Sequence, residues 1–315
     1  MGLPRAYGTK NNTGITAKGK GKSPMEKIKF VTDSASDIPD KALAKYGIEM
    51  QHIPIAIDGV EYYERKSFTI EQFYRILAQA TEIPATSRIT AETYLACYTR
   101  ALEEGCTDLI NVTINAGGSG TYDSALMAKE AFYEKIPDAK ARMRIHVVDS
   151  RAYAICFGHA VIESAKMARA GKPAARILRY MEEYFAAAEI YIGIYALDFA
   201  KKSGRISAAS AVVGDILGVR PIISIIDGQT KTVEKIRGDR QMPKKLLELY
   251  RKNCTDKNAP VIIVRGELEQ PALELKELMD KETGRDTPIY YAGASIVINA
   301  GPKMLALTFK GTPRR

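Results

Sequence analysis

Val112-Thr113-Ile114-Asn115-Ala116-Gly117-Gly118-Ser119-Gly120-Thr121 (VTINAGGSGT) is the stretch that decides the fold. An apolar run over residues 109–114 leads into it as a buried strand, and a helical pattern over 122–135 leads out. A strand that runs through a glycine loop into a helix is the unit from which parallel sheets are built. A helix start also carries unpaired backbone N–H groups and partial positive charge. Hydroxyls and glycines around such a start suit a phosphate or a carboxylate. The stretch contains no Lys, His or Cys to do covalent chemistry. It therefore reads as a holder of an anionic head group.

Two shorter stretches read the same way. Phe30-Val31-Thr32-Asp33-Ser34 and Pro84-Ala85-Thr86-Ser87 each end a strand in small hydroxyl residues, and each is expected to open a helix. Around them, strands are expected at 27–32, 53–57 and 144–148. Helices are expected at 40–46, 69–80 and 90–104, with a long one ending at Ala170. Gly47 and Gly105 stop two of them. This alternation predicts a mostly parallel sheet flanked by helices.

The second half changes character. A strand at 190–195 is followed by a hairpin, 221–226 and 232–236, around Asp227-Gly228. Strands at 261–264, 289–291 and 305–309 alternate with helices at 246–253 and 270–281. The expectation is an α/β protein of two domains, 26–172 and 173–312. The first holds the parallel sheet and the second is mixed α/β. A disordered basic extension over 1–25 precedes them.

Composition narrows the function. The chain has 315 residues and is 46% hydrophobic, enough for a large core. No apolar run approaches bilayer-spanning length. The formal charge is +9, but Arg5, Lys10, Lys18, Lys20 and Lys22 lie in the extension and leave +4 for the rest. That is a basic tail on a near-neutral body, with no nucleic-acid-binding motif and at most transient contact with a membrane. Cys97, Cys106, Cys156 and Cys254 are scattered, so neither a zinc site nor a disulfide framework is expected. No secretory leader is read in the first residues, and the chain is expected to be cytoplasmic, with no metal and no cofactor.

Several residues leave alternatives open. The glycine loop is neither G-x-G-x-x-G nor a P-loop, and Thr121 stands where G-x-S-x-G needs its last glycine. A nucleophilic Ser119 would need a base, and nothing in sequence links His52, His146 or His159 to it. Asp33 and Asp149 each follow a strand and precede Ser. They could hold Mg²⁺ in a phosphotransfer enzyme, or simply cap the turns that follow. Thr86-Ser87 can hold a ligand or only start a helix. Arg205, in the turn Ser203-Gly204-Arg205-Ile206-Ser207, can fix an anion or a protein partner, or simply be solvated. Asn299 stands in a turn before the final strand and can aim an amide at a ligand.

Taken in order, six segments resemble the DegV family. They are Thr32-Asp33-Ser34, Thr86-Ser87, Ser119-Gly120-Thr121-Tyr122, Val148-Asp149-Ser150, Gly204-Arg205-Ile206-Ser207 and Gly301-Pro302. The likeness runs from about Lys27 to Phe309. It implies two α/β domains with a long-chain fatty acid in the cleft between them. It also implies a bacterial, non-catalytic carrier that presents the acyl carboxylate to a separate fatty acid kinase. By position, Thr86 and Ser119 would hold the carboxylate. Ser87, Gly120, Thr121 and Asn299 would shape the head-group end, and Arg205 would meet the kinase. Asn299 stands where the family usually has histidine. The rival from the residues alone is the Mg²⁺-dependent phosphotransfer enzyme using Asp33 and Asp149.

Overall fold

The computed structural model describes Gly2 and residues 26–205 and 218–314. Gly2 apart, the extension expected over 1–25 lies outside the described residues, as does Ile206-Ser207. The chain begins with β1 (Ile28–Asp33), α1 (Asp40–Tyr46), β2 (Ile48–Gln51), β3 (Pro54–Ile57), β4 (Val60–Tyr63) and α2 (Ile70–Gln79). It continues through β5 (Ala85–Thr86), α3 (Ala91–Glu103), β6 (Asp108–Thr113), α4 (Thr121–Lys135), α5 (Ala139–Arg142) and β7 (Arg144–Asp149). Helices α6 (Ile155–Arg169) and α7 (Ala174–Ala187) lead to β8 (Ala188–Ile194) and α8 (Asp198–Ser203). Then come β9 (Val219–Ile226), β10 (Gln229–Arg237), α9 (Met242–Asn253), β11 (Ile262–Arg265) and α10 (Glu269–Thr283). The last elements are β12 (Ile289–Tyr291), α11 (Ala294–Ala300) and β13 (Met304–Lys310).

Three sheets result. The first is parallel, in the order β2-β1-β6-β7. Its central strand β6 (DLINVT) is buried at every position, as a strand covered on both faces must be. The second is a mixed six-stranded sheet, β10-β9-β8-β13-β11-β12. The third is a small antiparallel sheet, β4-β3-β5. The fold class is therefore α/β, with a parallel sheet flanked by helices and a mixed C-terminal sheet. One buried apolar cluster runs from Phe30 and Val112 in the parallel sheet to Ile192, Ile223 and Val297 in the second half. A second cluster, around Leu246, Tyr250 and Leu307, lies wholly in the second half.

Local signals explain many boundaries. Gly47 closes α1 at φ 67°. Thr69 and Gln72 form a reciprocal capping box on α2. The turns Asp58-Gly59 and Asp227-Gly228 both take positive φ, the geometry that matches hairpin twist.

Four expectations need correction. Thr86-Ser87 opens no helix. Thr86 lies in β5 opposite Ile55, and Ser87 N–H donates to the Pro54 carbonyl at 2.9 Å. Thr90, four residues on from Thr86, caps α3 instead, because its hydroxyl reaches Thr93 N–H. Asp33-Ser34 leads only into a single 3₁₀ turn, Ser34–Ser36, with Asp33 as its cap. The strand β2 was not expected. Its IEMQ sequence lacks alternation, and parallel pairing with β1 creates it. Asn299 does not stand in a turn but in the last turn of α11, whose run ASIVINA is buried almost throughout.

Candidate functional site

The glycine loop after β6 is pinned one N–H at a time. Ile114 N–H donates to Asp33 Oδ2 at 2.7 Å. Asn115 N–H donates to the Ala152 carbonyl at 3.1 Å and Ala116 N–H to Asp149 Oδ1 at 2.9 Å. Gly117 N–H reaches Asn115 Oδ1, and Gly118 N–H reaches the Asn115 carbonyl. The next two N–H groups, on Ser119 and Gly120, find no acceptor among the described residues. They lie where α4 begins, at the positive end of a 15-residue helix.

These groups border a cavity of about 470 Å³, a size typical of small-molecule sites. It lies outside the carboxyl ends of the parallel strands, where open α/β sheets bind ligands. Its deeper wall is apolar. Ile53, Ile114, Ile192, Ile223, Ile225 and Ile296 line it, and all six are buried. Ile192 on β8 stands opposite Ile223 on β9, so the mixed sheet supplies one side of the wall. Thr86, Ser87, Arg88, Ser119, Gly120, Arg205 and Asn299 also line the cavity. Ser87, Arg88 and Arg205 are exposed, whereas Thr86, Ser119 and Asn299 are half-buried. The cavity thus has a greasy interior and a polar, cationic mouth.

Thr86, Ser119, Ser87, Gly120, Asn299 and Arg205 therefore converge on one cavity from four parts of the chain. Thr121 does not line it. It is fully buried behind Ser119, whose hydroxyl donates to Thr121 Oγ1 at 3.0 Å. The same oxygen accepts from Ile89 N–H at 3.4 Å, so Thr121 fastens the Ser119 turn to the segment carrying Thr86. The hydroxyls of Thr86 and Ser87 make no hydrogen bond among the described residues. The Asn299 amide nitrogen donates to the Ser295 carbonyl at 2.7 Å, within its own helix. Arg205 hydrogen-bonds the Ser203 carbonyl, and its own carbonyl accepts from the Thr230 hydroxyl.

Asp33 and Asp149 are both occupied by backbone. Asp33 Oδ1 accepts from Ala35 N–H, besides the bond from Ile114. Asp149 Oδ1 accepts from Arg151 N–H at 3.0 Å, besides the bond from Ala116. Both carboxylates serve as struts for the loop. Among the described residues no three His, Cys, Asp or Glu side chains are grouped to hold a metal. Burial pushes the Asp33 carboxyl up to about 7, with nearby Glu64 adding to the shift. Burial also raises Asp37 and Glu64. Glu64 accepts from Ser34 Oγ at 2.7 Å and Ser295 N–H at 2.8 Å, while Asp37 accepts from Gly293 N–H at 3.1 Å. These buried acids tie the turn after β1 to the start of α11, the helix that carries Asn299.

No histidine serves Ser119. His52 Nδ1 is paired with the Glu64 carbonyl, His146 Nε2 with Asp108, and His159 packs against Tyr184. Sequence reasoning missed Arg88, Tyr153 and the isoleucines of β8 and β9. Arg88 stands two residues after Thr86, which was a usable signal. The isoleucines read only as strand, because nothing local says which cavity a strand faces.

Comparison with known proteins agrees with this architecture. A profile described as an uncharacterised protein of the DegV family matches residues 27–311. A DegV domain-containing protein of Clostridium acetobutylicum is 30% identical over 256 residues, which is 81% of this chain and 88% of the relative. One from Clostridium perfringens is 27% identical over 90% of this chain and 98% of its own length. Among solved structures, a fatty-acid-binding DegV family protein of Streptococcus agalactiae superposes with a TM-score of 0.81 at 24% identity, covering 91% of this chain and 99% of that one. A stearic-acid-binding protein of Eubacterium ventriosum gives 0.80 at 23%, covering 90% and 97%.

Proposed function

The chain belongs to the DegV family, and from that premise we propose that it binds a long-chain fatty acid and presents the carboxylate to a partner fatty acid kinase, without itself being an enzyme. One observation carries the reading: a single cavity joins six buried isoleucines to a mouth of hydroxyls and guanidinium groups. An acyl chain gains roughly 0.8 kcal/mol for each methylene it buries. A carboxylate taken from water without donors would cancel much of that gain. The hydroxyls of Thr86 and Ser87 and the N–H groups of Ser119 and Gly120 stand ready to offset the cost, and the Ser119 hydroxyl joins them if it turns from Thr121 to the ligand. The fatty-acid-binding relatives of the same fold support the assignment.

The direction of the ligand follows from the gradient of exposure. The tail lies inward against β8 and β9, and the carboxylate lies outward at Ser87, Arg88 and Arg205. A carboxylate at the mouth is within reach of a second protein, which favours the presenting role over closed storage. A cytoplasmic location fits delivery to a kinase. Among the described residues no helix is long and apolar enough to cross a membrane. Native mass spectrometry of the recombinant chain tests the binding. We expect a copurified fatty acid in the wild type and its loss in the Thr86→Ala/Ser119→Ala double variant. A wild-type protein that takes up no fatty acid would overturn the reading.

A further inference from the structure

The mouth of the cavity is electrically unbalanced. Two guanidinium groups, Arg88 and Arg205, line it, and among the described residues no Asp or Glu does. Neither arginine forms an ion pair among the described residues. Arg88 is also felt by Glu92, on the first turn of α3, whose carboxyl is fully exposed and is lowered first by accepting from its own backbone N–H and then from the Thr90 side chain, with Arg88 a smaller cause. Arg205 spends one nitrogen on a backbone carbonyl, which is neutral, so no charge among the described residues cancels its own.

Arg88 is also placed, not merely nearby. Its stem lies along the glycine turn: a Cβ added to Gly120 would come 3.1 Å from Arg88 Cδ and 3.5 Å from Nη1. The guanidinium therefore lies at the start of α4, beside the N–H groups of Ser119 and Gly120, which have no acceptor among the described residues. Thr86, two residues back in the chain, lines the same cavity. A planar, permanently charged fork in that position matches a carboxylate better than any hydroxyl does.

On the fatty-acid reading above, we propose that Arg88 is the specificity-determining residue at the mouth, which makes the site select lipids with an ionised head over neutral lipids of equal length. Thr86 and Ser119 can hydrogen-bond an alcohol or an amide as well as a carboxylate. A guanidinium distinguishes them strongly, because only the anion cancels its charge, and of the two at the mouth Arg88 is the one laid along the glycine turn.

Titration calorimetry on the delipidated full chain tests this, with palmitate and hexadecanol each delivered from cyclodextrin. The wild type is expected to bind palmitate at least tenfold more tightly than hexadecanol. Arg88→Gln should weaken palmitate roughly tenfold while moving hexadecanol less than about twofold, and Arg88→Lys should recover part of the loss. Raising salt from about 0.1 M to about 1 M should weaken palmitate in the wild type more than in Arg88→Gln. Arg88 is exposed, so the variants should fold, and near-ultraviolet circular dichroism checks that they do. Equal losses for both lipids in Arg88→Gln would mean that the stem merely packs, and would overturn the proposal. So would a wild type with no preference for palmitate. A wild type that binds neither lipid would instead overturn the fatty-acid reading itself.

Discussion

The side-chain amide of Asn115 donates to the carbonyl of Gly228 at 2.8 Å, joining the glycine loop of the parallel sheet to the β9–β10 turn of the mixed sheet. The same nitrogen donates to the Tyr153 hydroxyl at 2.7 Å, and Asn115 Oδ1 accepts from Gly117 N–H. Asn115 is fully buried, and its amide is spent on holding three segments together beside the cavity.

Removing that amide should therefore loosen the mouth. Asn115→Ala leaves two acceptors and one donor without partners, which costs about 1–3 kcal/mol. We expect a lower urea midpoint with little change in slope, and faster release of bound lipid. Unchanged stability would show that the clasp contributes nothing.

Gly117 tests the same junction from the other side. A Cβ there would collide with the Gly228 carbonyl, which is backbone and cannot swing away. Gly117→Ala should cost about 1–3 kcal/mol by pushing the hairpin off the loop. A thermal unfolding temperature equal to the wild type's would contradict this.

The hydroxyls that line the cavity should behave differently. Thr86→Ala removes a hydroxyl with no hydrogen-bond partner among the described residues, so stability should hold within about 0.5 kcal/mol. Affinity for palmitate should fall about tenfold to a hundredfold, as expected for a lost hydrogen bond to a charged group. Ser119→Ala should lose similar affinity and also some stability, because its hydroxyl braces Thr121. Calorimetry and denaturation on both variants separate the two effects.

Chain length should be set by the isoleucine wall. Ile223 is fully buried, lines the cavity and faces Ile192 across the sheet. Ile223→Phe fills space the tail would occupy, so the preferred acid should shorten by a few carbons, each worth roughly 0.8 kcal/mol. Mass spectrometry of copurified lipid reads this directly. An unchanged lipid profile would place the tail elsewhere.

Buried acid gives the fold a pH dependence. Asp33 keeps its proton up to about pH 7 in the folded chain, against 3.8 for an ordinary aspartate. Between those values the folded state holds a proton that the unfolded state has lost. Stability should thus fall as pH rises through this window, by up to about 1.4 kcal/mol per unit for one such group, and level off above it. Glu64 and Asp37 act in the same direction. Asp33→Asn should flatten part of the slope in urea unfolding at about pH 5, 6, 7 and 8. A slope identical to the wild type's would count against this account.

Much of this was legible residue by residue. The capping of α2 by Thr69, the Asp227-Gly228 hairpin and the strand-loop-helix at Asn115–Thr121 all have local causes, and each was readable. Thr86-Ser87 misled because a hydroxyl after a proline serves a helix cap or a strand end equally well. Pairing with β3 chose the strand. Gly301-Pro302 advertises a turn around Asn299, while the short apolar run before it becomes helix only through burial.

By itself, the sequence determined the alternation of strands and helices, the glycine loop and the supply of hydroxyls, because these depend on backbone preference and on spacing within a few residues. Only the tertiary structure decided that Thr86, Arg88, Ser119, Arg205 and Asn299 share one mouth, and that isoleucines from two sheets form one wall. It also decided that Asp33 and Asp149 are struts, since which hydrogen bonds a carboxylate accepts depends on N–H groups far away in the chain. Proximity between distant segments is a product of packing the whole core, and no local pattern encodes it.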